Sequence, residues 1–482
     1  MRRALINLGI LLLALPTFCF AQTKNSDSVQ EKIQQVENGL CGWVHTDNAA
    51  GWTIAERLAY HHVPGVSIAV IHNYKVEWAK GYGYADAESH TPVTVNTLFQ
   101  AASMSKSLNA VAIVKLAQDK KLDLNTDINN YLKTWKFPYD TVSHNKKITI
   151  ANLLTHTAGL NVHGFDGYAV GDSIPTITQI LDGKRPANSP AVRSQFEPGV
   201  KMEYSGGGTT ISQVILADVT GLPYDKFMNE KILKPLGMTS SSFTQPPPKE
   251  KQALLATGYS FTGTPVAGKY HIYPEEAAAG LWTTPSDYSK YVIETQLAYI
   301  GKSNRILTEE YTRKRLTPVL NSGTAMGSFI GEIGGNHYFM HSGGDEGFTC
   351  VHYGCLENGD GVVVMSNGND DMLLMEIVNS VAKAYGWKDF YKPMEKHLLN
   401  INEVPASTYV GKYLFNGDTA VVNLDKGKLS INYSGINWEM NFTSPEEFFI
   451  YQMGMMFQFK KDEKGTVTGF NVGGKGFAKK ID

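Results

Sequence analysis

The sequence predicts an α/β protein of the α+β kind. An antiparallel sheet is flanked by helices, a mainly helical subdomain is inserted at about 122–284, and a small all-β module closes the chain. Three observations predict this. Strand-like alternation occurs over 63–84 and again over 337–365, on either side of helical segments and loops rich in Gly, Pro and Asn. The run Ser103 to Asp119 is apolar nearly all round, as in a helix buried on every side. From Pro405 onward the pattern breaks into short alternating runs separated by turns, as in a small barrel or sandwich. The main domain is expected over 22–395 and the β module over 400–482.

The elements follow in order. Met1-Arg2-Arg3 is a positive start, Ala4 to Leu15 is apolar, and Pro16 and Cys19-Phe20-Ala21 follow. This predicts a secretory signal over 1–21, cut after Ala21, and a secreted or periplasmic protein. The run falls short of the roughly 20 apolar residues of a spanning helix. Lipid attachment through Cys19 is disfavoured by bulky Phe18 before it. No later segment is long and apolar enough to span a bilayer. Residues 22–48 are polar and open with a surface helix. Two strands over 63–84 turn at His72-Asn73-Tyr74-Lys75, a helix covers Ile211 to Val219, and another opens at Pro285-Ser286-Asp287. Strands return at His337 to Met340, Phe348 to Cys355 and Val362 to Met365, before a closing helix over Met372 to Tyr385.

The chain has 482 residues, enough for two or three domains, with 42% hydrophobic and 19% charged residues. A net charge of −2 without a basic stripe gives no case for nucleic acid. Cleavage leaves Cys41, Cys350 and Cys355. Cys350 and Cys355 share one strand, roughly 16 Å apart, beyond the ~7 Å limit for a disulfide. Cys41 could still pair with one of them, but buried thiols are the better reading. No cysteine has a metal-ligand spacing, and no metal or organic cofactor is implied.

Chemistry concentrates at Ser103-Met104-Ser105-Lys106, an S-x-x-K pattern. On a helix, residues three apart share a face, so the Ser103 hydroxyl can meet the Lys106 amine. The helix start adds free N–H groups and positive potential that favour an oxyanion. A lysine in an apolar setting can act as a base. Alone, four residues prove little. Gly65-Val66-Ser67-Ile68-Ala69 is only a partial nucleophile elbow, and Ser67 is read as structural. His61-His62 reads as a polar turn before Pro64, and His156 as scaffold.

Phe99 to Ser107 resembles the nucleophile segment of class C β-lactamases and their esterase and D-peptidase relatives. Leu153 to Leu160 and Ala279 to Asp287 resemble two further segments of that family, in its order, from about Ile54 to Tyr385. The resemblance implies the catalytic set Ser103, Lys106, Tyr204 and His341. Tyr204-Ser205-Gly206 stands where the family has Y-x-N, and His341-Ser342-Gly343 where it has K-T-G. Tyr204 would be a second base. The backbone N–H groups of Ser103 and Gly344 would form the oxyanion hole, with Gly206, Ser342 and Gly343 facing substrate. Gly206 cannot donate the family's amide, which would widen the site or leave room for water. A neutral or half-charged His341 would hold a carboxylate less firmly than lysine. The tail would be lipocalin-like, and would cover the active site, bind a ligand or support an oligomer.

The implied protein is a serine hydrolase cleaving a D-amino-acid peptide or small ester through a Ser103 acyl-enzyme. A β-lactamase is the next reading. A penicillin-recognition or ligand-binding module without turnover is the non-enzymatic one. The partner is a small-molecule or short-peptide substrate.

Overall fold

A computed structural model describes residues 20–46 and 51–482, with side chains from Ser28 onward. The expected signal segment lies outside the described residues, apart from the backbone at Phe20-Ala21 that opens the helix Phe20–Asn38. No helix among the described residues is long and apolar enough to cross a membrane.

Eight strands make the principal sheet: β1 (Gly65–His72), β2 (Lys75–Asp86), β3 (Thr91–Pro92), β4 (Thr324–Ala325), β5 (Ser328–Ile333), β6 (Asn336–Asp345), β7 (Phe348–Cys355) and β8 (Gly361–Ser366). Their order is β3-β2-β1-β8-β7-β6-β5-β4, antiparallel throughout. The β1–β8 pairing closes the sheet across the whole helical insertion. Asn73 and Tyr74, with φ of 51° and 63°, turn the β1–β2 hairpin as a two-residue loop with both central residues left-handed.

Strand alternation sorts the core into two layers. In β8, Val362 and Val364 face a cluster covered by the helices Phe20–Asn38, Ile54–Tyr60 and Asp371–Ala384. Val363 and Met365 face the opposite cluster, which holds the helix Ser105–Gln118 and the insertion. That helix is buried from Ser105 to Val114, so it lies sandwiched between sheet and insertion. Each large apolar side chain so buried contributes about 1.5–3 kcal/mol.

Nine further strands form the C-terminal sheet: β9 (Gly411–Phe415), β10 (Asp418–Asp425), β11 (Lys428–Tyr433), β12 (Ile436–Glu439), β13 (Asn441–Phe442), β14 (Glu447–Ile450), β15 (Met455–Lys461), β16 (Val467–Val472) and β17 (Phe477–Lys480). Each pairs with its chain neighbours, except across the β12–β13 seam, and β9 pairs with β17. The result is a nearly closed up-and-down barrel. Its interior is packed with rings: Tyr409 stacks on Phe459 at 3.8 Å, and Phe448 on Phe457 at 5.0 Å.

The barrel docks through Tyr451, in ring contact with Trp43, Trp52 and Tyr60. Gly42 makes the space, since a Cβ there would lie 1.3 Å from the Tyr451 hydroxyl. A second contact joins Trp438 to Phe261.

His61-His62 is a turn before Pro64, as the sequence suggested, but the His61 side chain faces inward. It is buried, with Nδ1 2.7 Å from Asp370 and Nε2 3.0 Å from Glu376. Arg57 makes two bonds to the same Glu376 at 2.6 and 2.7 Å. Partners 309 to 319 residues away close this quartet, so local sequence could not reveal it. The three cysteines Cys41, Cys350 and Cys355 are free and buried.

Candidate active site

Ser103 lies in a short 3-10 turn, Ala102–Met104, that runs directly into the helix Ser105–Gln118. The chain enters this turn through Ala102 at φ 44°, a left-handed conformation costing an L residue about 1–2 kcal/mol. His156 (φ 55°) and β-branched Val162 (φ 59°) are held the same way beside Tyr204 and Gly207. Such strain persists where surrounding bonds over-determine it. Here the Ala101 N–H donates to Leu281 O at 2.8 Å, the Leu281 N–H to Ser105 Oγ at 3.0 Å, and the Tyr288 hydroxyl to Met104 O at 3.0 Å.

One helical turn on, Lys106 is buried, and its Nζ donates to Ser103 Oγ at 2.8 Å and to Ala278 O at 2.8 Å. Among the described residues it makes no ion pair with a carboxylate. The same Nζ stands 5.0 Å from the centre of the Tyr204 ring. That ring lies between His156 at 4.3 Å and Phe329 at 6.5 Å. His156 Nδ1 accepts from the Ser205 N–H at 3.2 Å, and His163 Nδ1 donates to Tyr204 O at 2.6 Å. Hydroxyl, amine and phenol ring are thus brought together and fixed from several elements.

His341 closes the far wall. Its Nδ1 is 2.6 Å from Ser342 O, and a carbonyl only accepts, so that nitrogen carries the proton. Burial, with the nearby Lys106 charge, pushes its pKa down to about 3. The imidazole is therefore neutral, and its buried Nε2 has no partner. It offers an acceptor rather than a cation, the neutral one of the two states the sequence allowed.

β6 carries the remaining residues. The His337 carbonyl accepts from the Leu356 N–H, so odd positions of β6 turn their backbone groups toward β7. Even positions, Ser342 and Gly344 included, turn theirs the other way, where pairing with β5 has ended at Phe329–Met340. Gly343 fits against the nucleophile: a Cβ there would lie 2.7 Å from Ala101 O and 2.8 Å from Ser103 N. Gly344 borders open space.

Gly206 begins the helix Gly206–Thr220, and here expectation fails. A Cβ on it would meet the Phe165 ring at 3.0 Å and His163 O at 3.2 Å. The volume is neither wide nor left for water, because a neighbouring loop fills it. The Gly206 and Gly207 N–H groups bond His163 O and Val162 O at 3.1 and 3.0 Å, pinning that loop in place.

Sequence reasoning missed Phe165, Phe329 and the Ala278 carbonyl. It also missed two buried carboxyls, Asp345 and Glu275. Burial raises Asp345 well above the usual carboxylate range, against the Lys106 charge, and raises Glu275 to about 8. Ala278 sits one residue before a recognised segment, and Asp345 one residue after Gly344. The loop residues carried no signal.

The Beta-lactamase family model matches residues 53–380. The chain belongs to the beta-lactamase family. Protein flp of Staphylococcus aureus (strain N315) is 30% identical over 334 residues, covering 66% of this chain and 63% of that relative. The chain thus spans less than two-thirds of the flp protein. Among solved structures, the octameric penicillin-binding protein homologue from Pyrococcus abyssi matches with a TM-score of 0.62 at 22% identity, covering 88% of this chain and 97% of that one. The D-amino acid amidase from Ochrobactrum anthropi SV3 matches with a TM-score of 0.57 at 23% identity, covering 74% and 98%. At these identities the two structures share the fold.

Proposed function

We propose that the protein is an exported hydrolase of small esters and amino-acid amides or peptides, acting through an acyl-enzyme on Ser103. The 2.8 Å hydrogen bond from Lys106 Nζ to Ser103 Oγ, at the start of a buried helix, carries this reading. Lys106 and Tyr204 together take the hydroxyl proton as Oγ attacks the carbonyl carbon. The oxyanion is held by the Ser103 and Gly344 N–H groups, each donor typically worth about 2.7–4 kcal/mol in the transition state. The Tyr204 hydroxyl passes a proton to the leaving group, and the acyl-enzyme forms as that bond breaks. Water enters by the reverse proton path and releases the acid.

The neutral His341 favours substrates without a carboxylate at the leaving side, since it brings no positive charge. Its bare Nε2 suits an N–H donor, which supports a D-amino-acid amide or peptide beside a small ester. A β-lactam is disfavoured by the same imidazole and by the filled volume at Gly206. Turnover of p-nitrophenyl acetate and D-alanine p-nitroanilide by the wild type and Ser103→Ala tests the reading. Steady hydrolysis lost in Ser103→Ala is the expected result. A burst without a steady rate would point to a recognition module, and equal rates would remove Ser103 from the mechanism.

A further inference from the structure

We infer that the site selects an apolar, preferably aromatic, acyl group, and that Phe165 is the residue setting this preference. The inference rests on the acyl-enzyme reading and names its substrate class.

Among the residues from Ala101 to Ala110, Ser103 alone is partly exposed. Phe165, Tyr204 and Phe329 likewise each keep part of their surface in solvent. Tyr204 and Phe329 stack at 6.5 Å with planes 20° apart, and Phe329 lies 5.4 Å from the His341 ring. Phe165 approaches from the loop on the other side, its ring edge 3.0 Å from where a Gly206 Cβ would be. Beside Lys106, the Tyr204, Phe329 and His341 rings thus form one aromatic cluster, and Phe165 lies against Gly206, two residues along the chain from Tyr204. Phe165, Phe329 and Gly206 bring no charge, and the His341 imidazole is neutral.

Such a wall rewards burial of apolar area. Tyr204 and Phe329 are locked by their stacking. Phe165 is different. Its loop is pinned by backbone bonds from Gly206 and Gly207, and a side chain at position 206 would crowd the ring. The pair Phe165–Gly206 therefore acts as one exchangeable unit of the wall.

The test compares kcat/KM for p-nitrophenyl phenylacetate, p-nitrophenyl acetate and the p-nitrophenyl ester of N-acetylglycine. The wild type is expected to favour phenylacetate over acetate by about tenfold or more, with the N-acetylglycyl ester below phenylacetate. Phe165→Ala is expected to bring the phenylacetate-to-acetate ratio below about threefold, mainly through KM, while Phe165→Tyr keeps it. Gly206→Ala, which must displace the ring, is expected to lower the ratio too and serves if Phe165→Ala does not fold. A wild-type ratio near one overturns the inference. So does a ratio unchanged in Phe165→Ala or, where that variant is unfolded, in Gly206→Ala. Ester turnover surviving in Ser103→Ala would instead sink the acyl-enzyme reading beneath it.

Discussion

Gly343 lies against the backbone of Ser103 so closely that a Cβ on the glycine would stand 2.8 Å from the serine nitrogen. That nitrogen is one of the two proposed oxyanion donors. The strand and the nucleophile turn are therefore positioned by contact, and the absent side chain is what permits it.

Gly343→Ala forces this contact apart, since the added methyl would also meet Ala101 O at 2.7 Å and Cys350 Sγ at 2.9 Å. A displacement of about 1 Å at a reacting group costs on the order of 100-fold in rate. Ester kcat/KM is expected to fall by about that factor. Gly331→Ala, on the neighbouring strand with open space around it, is the control and stays near wild type.

His341 is expected to remain neutral through the working range. Its pKa, held to about 3 by burial and the Lys106 charge, puts no titration between pH 5 and 8. Imidazole NMR shifts assigned by a His341→Gln variant check this. An inflection near pH 6–7 would refute the neutral-acceptor assignment.

The quartet Arg57, Glu376, His61 and Asp370 links stability to pH. Burial works against the His61 charge, but the bonds to Asp370 and Glu376 override it and raise its pKa. A raised histidine gives its full contribution below its unfolded value of about 6.5 and loses it as pH rises through the folded value. Burial likewise opposes the Glu376 charge, and its bonds to His61 and Arg57 lower its pKa. It contributes above about 4.3 and fades as pH falls through its folded value. His61→Gln should thus cost about 3–5 kcal/mol at pH 6 and less at pH 9, by denaturant unfolding. Equal costs at both would contradict the linkage.

The barrel core predicts a second stability effect. Phe459 stacks on Tyr409 and lies within 6.4 Å of Phe442. Phe459→Ala is expected to cost about 3–5 kcal/mol in denaturant unfolding.

The readable parts of this chain were those set by local pattern. Alternation in Leu429 to Tyr433 and Phe457 to Phe459 marked β11 and β15, and apolar wrapping marked the buried helix after Ser103. Strand β9 was hidden because its burial alternates around lysine and glycine, and β16 because Gly469 interrupts it. The helix Gly206–Thr220 was predicted to start five residues late, since three glycines read as a loop until Ser205 caps them. At the site, Ser103 and Lys106 were legible through spacing along one turn. Phe165 was not, because its role depends on a side chain missing 41 positions away.

Covalent trapping tests the central claim most directly. Incubation with a fluorophosphonate ester, followed by intact-mass and peptide-mass analysis, is expected to place one adduct per chain on Ser103. Lys106→Ala should slow labelling by at least about 100-fold, as loss of the base requires. An adduct on another residue, or labelling at an unchanged rate without Lys106, would contradict the account.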